Sequence, residues 1–149
     1  MKPSGTSDSP PDTGPIMTDA LCKEKDVVLV VDDEKLVAEA VSELVEDLGC
    51  ACHSFNDPEK ALSYFEEDPG RITLMIADLT MPGLSGPGLI RKALQVSPEL
   101  PIILVDGYPG IEIPEDISSR VRRIMSKPFT KAELAQVMRT VLAKTNAAG

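Results

Sequence analysis

Five charged residues stand at the ends of short apolar runs. Asp32 and Asp33 follow Val27–Val31, and Asp78 comes just after Leu74, Met75 and Ile76. Asp106 follows the apolar residues 102–105, and Lys127 comes shortly after Ile124 and Met125. If those runs are neighbouring parallel strands, all five side chains converge on one small, partly exposed pocket. Carboxylates held so close repel one another, and a hard, oxygen-preferring cation is the usual means of keeping them together. Mg²⁺ suits such a site best, because it keeps several waters and binds through one or two carboxylates plus a substrate phosphate. Asp32 or Asp33 with Asp78 would then leave coordination positions for an incoming phosphoryl group. Lys127 would supply a mobile point charge for its remaining oxygens. Taken singly, each residue has an ordinary alternative: Asp33 as a helix cap, Asp78 as the start of a turn before Pro82, Lys127 as a solvated surface lysine. Their joint placement is what favours a site.

The elements that must position these groups are legible in the periodicity. Residues 1–25 are rich in Pro, Ser, Thr, Gly and Asp without apolar periodicity. Such a segment buries too little surface to offset the entropy of ordering, and it reads as a flexible tail or linker. Val27–Val31 is continuous and β-branched, the pattern of a strand covered on both faces. Leu36, Val37, Ala40, Val41, Leu44, Val45 and Leu48 then recur at helical spacing, with Gly49 to end the helix. Ala51–Phe55 is a second strand, and Asp57 with Pro58 opens a helix whose inner face is Ala61, Leu62 and Phe65. A third strand at Leu74, Met75 and Ile76 precedes a helix over 85–96, and a fourth at 102–105 precedes a helix over 115–122. Ile124 and Met125 form a short fifth strand; Thr130 with Glu133 is a capping box opening the last helix. Strand starts are spaced by about 21 to 29 residues, the length of one β–α unit with its turns. Five such units predict an α/β fold, a parallel sheet with helices on both faces and right-handed crossovers. Ligands of that architecture gather at the carboxyl ends of the strands. The expected ordered domain spans 26–144, with 145–149 a short C-terminal tail.

Composition narrows the function. The 149 residues carry 24 acidic against 15 basic side chains and a net charge of −9, which argues against binding a phosphate backbone. No stretch approaches the ~18 apolar residues of a membrane span, and the N-terminus lacks a secretory pattern, so a cytoplasmic protein without membrane insertion is expected. Cys22, Cys50 and Cys52 form no disulfide framework and read as reduced thiols. Cys50 and Cys52, two apart, share one face of a strand rather than supply a four-ligand zinc site, and His53 reads as an ordinary strand residue.

Three segments carry a resemblance. Val30-Val31-Asp32-Asp33-Glu34, Asp78-Leu79-Thr80-Met81-Pro82-Gly83 and Lys127-Pro128-Phe129 resemble, in order and spacing, the signature segments of response-regulator receiver domains of two-component systems. The likeness covers about 26–144. Residues 101–108 resemble the family's fourth-strand segment, and the stretch 78–108 is similar to receivers attached to hybrid sensor histidine kinases. The resemblance implies a doubly wound, five-stranded flavodoxin-like sheet of order 2-1-3-4-5. It implies that Asp78 is phosphorylated, that Asp32, Asp33, Asp78 and the Thr80 carbonyl hold Mg²⁺, and that Lys127 contacts the phosphoryl group through a segment with a cis Lys127–Pro128 bond. Thr80 and Tyr108 would flank the path of the water that later hydrolyses the acyl phosphate. The implied partners are a sensor histidine kinase or phosphotransfer protein, a downstream protein, and a second copy of the chain. Little sequence follows Lys127 beyond one helix, so no output domain is expected after the receiver.

Two positions depart from the family. Asp106 stands where receivers carry Ser or Thr, and Ile124 stands where they often carry Tyr or Phe. An ionised carboxylate cannot donate the hydroxyl's hydrogen bond and faces a phosphoryl group of like charge. Slower phosphorylation, stronger divalent-ion dependence and altered switching are the expected results; the alternative is that Asp106 points to solvent or caps the next turn. A second reading is a non-switching pseudo-receiver that docks or dimerises through its fourth and fifth units. A haloacid-dehalogenase phosphatase would need an acid two residues after the nucleophile, where this chain has Thr80. Arg120, Arg122 and Arg123 read as a solvated helix end or a docking patch.

Overall fold

A computed structural model describes residues 22–23, 26–79, 86–106 and 113–148, with side chains described as far as Leu142. Its strands are β1 (Val27–Val31), β2 (Ala51–Phe55), β3 (Leu74–Asp78), β4 (Ile102–Asp106) and β5 (Arg123–Ser126). The helices are α1 (Lys35–Asp47), α2 (Pro58–Glu67), α3 (Gly86–Val96), α4 (Glu115–Ser118) and α5 (Lys131–Ala148), with a 3₁₀ turn at Pro69–Arg71. All strand pairs are parallel, and the sheet order is β2-β1-β3-β4-β5, the doubly wound arrangement expected.

Strand periodicity sorts the core into two layers. Leu29, Val31, Met75, Ala77, Ile102 and Leu104 face α2 and α3, where Phe65, Leu89 and Ile90 cover them. The alternate residues Val28, Val30, Leu74, Ile76, Ile103 and Val105 face α1 and α5, against Val45, Leu134 and Met138. Successive side chains of a strand point to opposite faces, so a run buried on both sides must be apolar throughout. Local start signals hold as well. The Asp57 carboxylate accepts from Glu59 N at 2.9 Å, while Thr130 and Glu133 exchange reciprocal bonds of 2.8 and 3.0 Å at the head of α5.

Four expectations are corrected. Asp78 and Asp106 are not behind their strands but the last residues of β3 and β4, paired with Val105 and Ser126 respectively. The helix expected over 115–122 is a single turn, because Arg122 N donates to Ile102 O (2.9 Å) and leads the chain into β5. The sheet-facing stripe of α1 is Ala38, Val41 and Val45, whereas Leu36 is 79% exposed and Ala40 is exposed. The apolar pattern is wider than the area the sheet can cover, and its surplus edge turns outward. Finally, Cys22 and Cys50 are joined in a disulfide across 28 positions, so only Cys52 is a free thiol among the described residues. Lys23 and Asp26 are hydrogen-bonded to each other, and Cys22 meets Cys50 just before β2, a long-range contact that cysteine spacing does not reveal. Cys22 lies within the stretch read as tail, and it is buried in the α1–α5 layer. His53 lies in β2 with its ring 5.2 Å from that of Tyr64, an ordinary strand placement.

Candidate functional site

The site lies at the carboxyl ends of β1 and β3 and the loop after β5. Asp32 follows β1, and its N–H donates to Phe55 O (3.1 Å), which continues the β1–β2 ladder to the pocket. Its Oδ1 accepts from Glu34 N at 2.9 Å and its Oδ2 from Lys127 Nζ at 2.7 Å. Both oxygens are therefore oriented, with only 3% of the residue exposed. Asp78, 6% exposed, ends the central strand β3, and Lys127 Nζ lies 3.7 Å from its Oδ1. Carboxylate oxygens of Asp32, Asp33 and Asp78 all lie within 4.8 Å of one another.

Among the described residues this is the single group of three or more acidic, His or Cys side chains close enough to share a metal ion. Three carboxylates at that separation need more positive charge than one ammonium supplies. The donor set is all oxygen, and it is partly open, which fits a hard divalent cation such as Mg²⁺. Burial alone pulls the Lys127 ammonium toward its neutral form. The hydrogen bond and charge of Asp32, with the charges of Asp78 and Glu34, outweigh it and raise the pKa above 10.5. Lys127 is thus fully charged at neutral pH.

The predicted residues fall into distinct groups. Asp32, Asp33, Asp78 and Lys127 are brought together. Asp106 is half-buried at the end of β4; its carbonyl accepts from Lys127 N (2.9 Å), and its carboxylate stands outside the compact trio. Ile124 is 44% exposed on the outer strand β5. The Lys127–Pro128 peptide bond is cis. Thr80 and Tyr108 lie outside the described residues.

Gly86 was missed as a site-building residue. A Cβ at Gly86 would collide with the backbone carbonyls of Asp78 and Leu79, so its lack of a side chain lets the start of α3 close against the strand end that bears Asp78. The available signal was the Gly86-Pro87-Gly88 run at a helix start, where glycine is otherwise unfavourable. A groove of about 360 Å³ beside the pocket was also missed; Leu36, Ala40, Leu44, Lys127, Pro128 and Phe129 contribute to its walls.

Comparison with known proteins places this geometry in a family. The model of the response regulator receiver domain matches residues 28–139, and the chain belongs to that family. It is 33% identical over 113 residues to the C4-dicarboxylate transport transcriptional regulatory protein DctD of Rhizobium meliloti, covering 75% of this chain and 24% of that protein. It is 30% identical over 122 residues to the response regulator protein TmoT of Ectopseudomonas mendocina, covering 80% of this chain and 54% of the relative. The chain thus spans a quarter to about half of these relatives. A response regulator receiver domain protein from Clostridium thermocellum superimposes with a TM-score of 0.77 at 22% identity, over 83% of this chain and 99% of the other. This is therefore a receiver domain of the two-component type, a class that generally accepts phosphoryl groups, binds Mg²⁺ at an acidic cluster and interacts with histidine kinases or phosphotransfer proteins. Among the described residues no helix is long and apolar enough to cross a membrane.

Proposed function

We propose that Asp78 accepts a phosphoryl group from a histidine kinase or phosphotransfer protein, in a cytoplasmic signalling relay. The observation that carries this reading is the aspartate trio within 4.8 Å with Lys127 Nζ bridging Asp32 and Asp78. An Asp78 carboxylate oxygen attacks phosphorus, and the bond from phosphorus to the donor's imidazole nitrogen breaks. The nitrogen keeps the electron pair, giving an aspartyl phosphate and a free histidine. Asp32, Asp33 and Asp78, with the Thr80 carbonyl, would hold Mg²⁺. When bound, the ion supplies the charge neutralisation that phosphoryl transfer requires. Lys127, already at the pocket, shifts from Asp32 toward the equatorial oxygens and remains protonated throughout. Asp32, fixed by Glu34 N–H, keeps its orientation as that ammonium leaves.

The groove beside α1 seats the donor. It shares Lys127 with the acidic site, so an apolar helix resting on Leu36 would lie beside the ammonium that reaches Asp78. Leu36→Asp is expected to slow transfer from the cognate phosphodonor at least several-fold while leaving labelling by acetyl phosphate unchanged. Equal slowing with both donors would contradict this seat.

Acetyl phosphate with Mg²⁺ tests the site directly. The wild type should incorporate phosphate, Asp78→Asn should not, and EDTA should abolish labelling. Asp106 places a like charge near the pocket in place of a hydroxyl donor, so Asp106→Thr is expected to raise the extent of labelling. Unchanged or lower labelling would remove Asp106 from the account. A second reading, a non-switching docking module, draws on Asp106 and on the exposed Ile124; wild-type labelling no greater than that of Asp78→Asn would favour it.

A further inference from the structure

At the amino end of the sheet, away from the carboxylates, a pair of sulfurs joins the start of the domain to the start of β2. Cys22 and Cys50 form a disulfide, and both are buried in the α1–α5 layer with Val45 and Val28. Cys50 follows Gly49, whose φ of 91° turns the chain out of α1 and into the edge strand. Lys23, the neighbour of Cys22, is bonded twice to Asp26. Asp26 N donates to Lys23 O (3.0 Å), and Asp26 Oδ2 accepts from Lys23 N (2.8 Å). Asp26 Oδ1 accepts from the Thr73 hydroxyl (3.2 Å), which ties Asp26 to the residue preceding β3. The disulfide is the covalent hold on this part of the chain.

The third cysteine, Cys52, lies two positions beyond Cys50, in β2, and packs against the same α1–α5 layer. Burial pushes the Cys52 thiol up to about 11, partly offset by the Ser42 hydroxyl that donates to its sulfur at 3.3 Å. A protonated thiol is a poor nucleophile, so Cys52 does not shuffle the neighbouring bond at neutral pH. The pair is insulated from its nearest rival.

We propose that Cys22 and Cys50 are a reversible redox anchor that sets whether the N-terminal segment is tied to the end of the sheet opposite the phosphoacceptor pocket. Closure proceeds by exchange with a small disulfide of the glutathione type. One cysteine, as thiolate, attacks it, forming a mixed disulfide and releasing one small thiol. The second cysteine then attacks the mixed disulfide at the protein sulfur and releases the other. Two protein thiols are oxidised, one small disulfide is reduced to two thiols, and their protons pass to the released thiolates. Reduction is the reverse, consuming two small thiols.

The full chain equilibrated across a series of reduced-to-oxidised glutathione ratios tests this without reference to phosphorylation. After acid quench, denaturation and alkylation, mass spectrometry should show Cys52 alkylated throughout, with Cys22 and Cys50 passing together from alkylated to linked. Trypsin cleavage after Lys23 and Lys25 should slow roughly tenfold on oxidation, as expected when cleavage follows the population of the locally open form. Cys22→Ala should abolish that redox dependence, and Cys52→Ala should retain it. The anchor is overturned if Cys22 and Cys50 are alkylated at every ratio, if they stay linked at the most reducing ratio, or if cleavage rates ignore the disulfide.

Discussion

At the carboxyl end of the sheet, Asp32, Asp33 and Asp78 crowd together around one lysine; at the amino end, Asp26 belongs to no acidic cluster among the described residues and accepts from a backbone N–H and a hydroxyl. Both ends bury aspartate. At the amino end the carboxylate is satisfied by neutral donors, which stabilises the chain where it enters β1. At the carboxyl end, like charges remain close together, a cost that a folded domain tolerates when the group has work to do. One end pairs its carboxylate with neutral donors, and the other leaves negative charge in excess of its one ammonium.

Substitutions should separate the two ends by sign. The largest effect is expected from Asp78→Asn, which brings phosphoryl incorporation to background while the urea midpoint stays level or rises, because one repelling charge is gone. A fall in stability comparable to a core lesion would contradict this. Its counterpart, Lys127→Met, leaves the carboxylates uncompensated and should cost about 2 kcal/mol at pH 7 by urea unfolding. A raised lysine pKa stabilises fully below 10.5 and loses that contribution as pH rises through the folded value, so the two proteins should converge in alkali.

Backbone fit comes next in size. Gly86→Ala forces a methyl group against the carbonyls of Asp78 and Leu79 and should cost about 2 kcal/mol. Labelling of Asp78 should fall with it, since the strand end must move; a stable, fully labelled variant would show that α3 can shift without disturbing the site. At the opposite end, Thr73→Val removes the hydroxyl that donates to Asp26 and accepts from Val27 N (3.3 Å). A loss of about 1 to 2 kcal/mol with unaltered labelling is expected from breaking a part-buried hydrogen bond.

The smallest effect concerns Cys52. Its folded thiol titrates near 11 against 9.0 unperturbed, so alkylation of the native protein should rise with pH toward 11. The folded state retains a proton that the unfolded chain releases above 9.0, and this contribution to stability is present below that pH and lost as pH climbs to about 11. Alkylation that levels off near pH 9 would contradict the burial of this sulfur.

Much of the architecture was written locally. Continuous β-branched runs marked strands covered on both faces, Asp57 with Pro58 and Thr130 with Glu133 marked helix starts, and the spacing of strands left room for one helix each. Because parallel strands share a direction, charges at their ends gather along one edge, and the meeting of Asp32, Asp33, Asp78 and Lys127 was readable from the sequence, whereas Asp106, expected with them, keeps its carboxylate outside the trio. Tertiary structure decided what depends on contacts between distant segments. The sheet chose Ala38 over Leu36 as the inner side of α1, pairing with Ile102 cut α4 to one turn, and packing of the α1–α5 layer brought Cys22 to Cys50. Gly86 became necessary only because the start of α3 approaches the backbone of Asp78. Periodicity records which residues can be buried, whereas the area available for burying them, and the backbone they must fit, exist only once the chain has closed on itself.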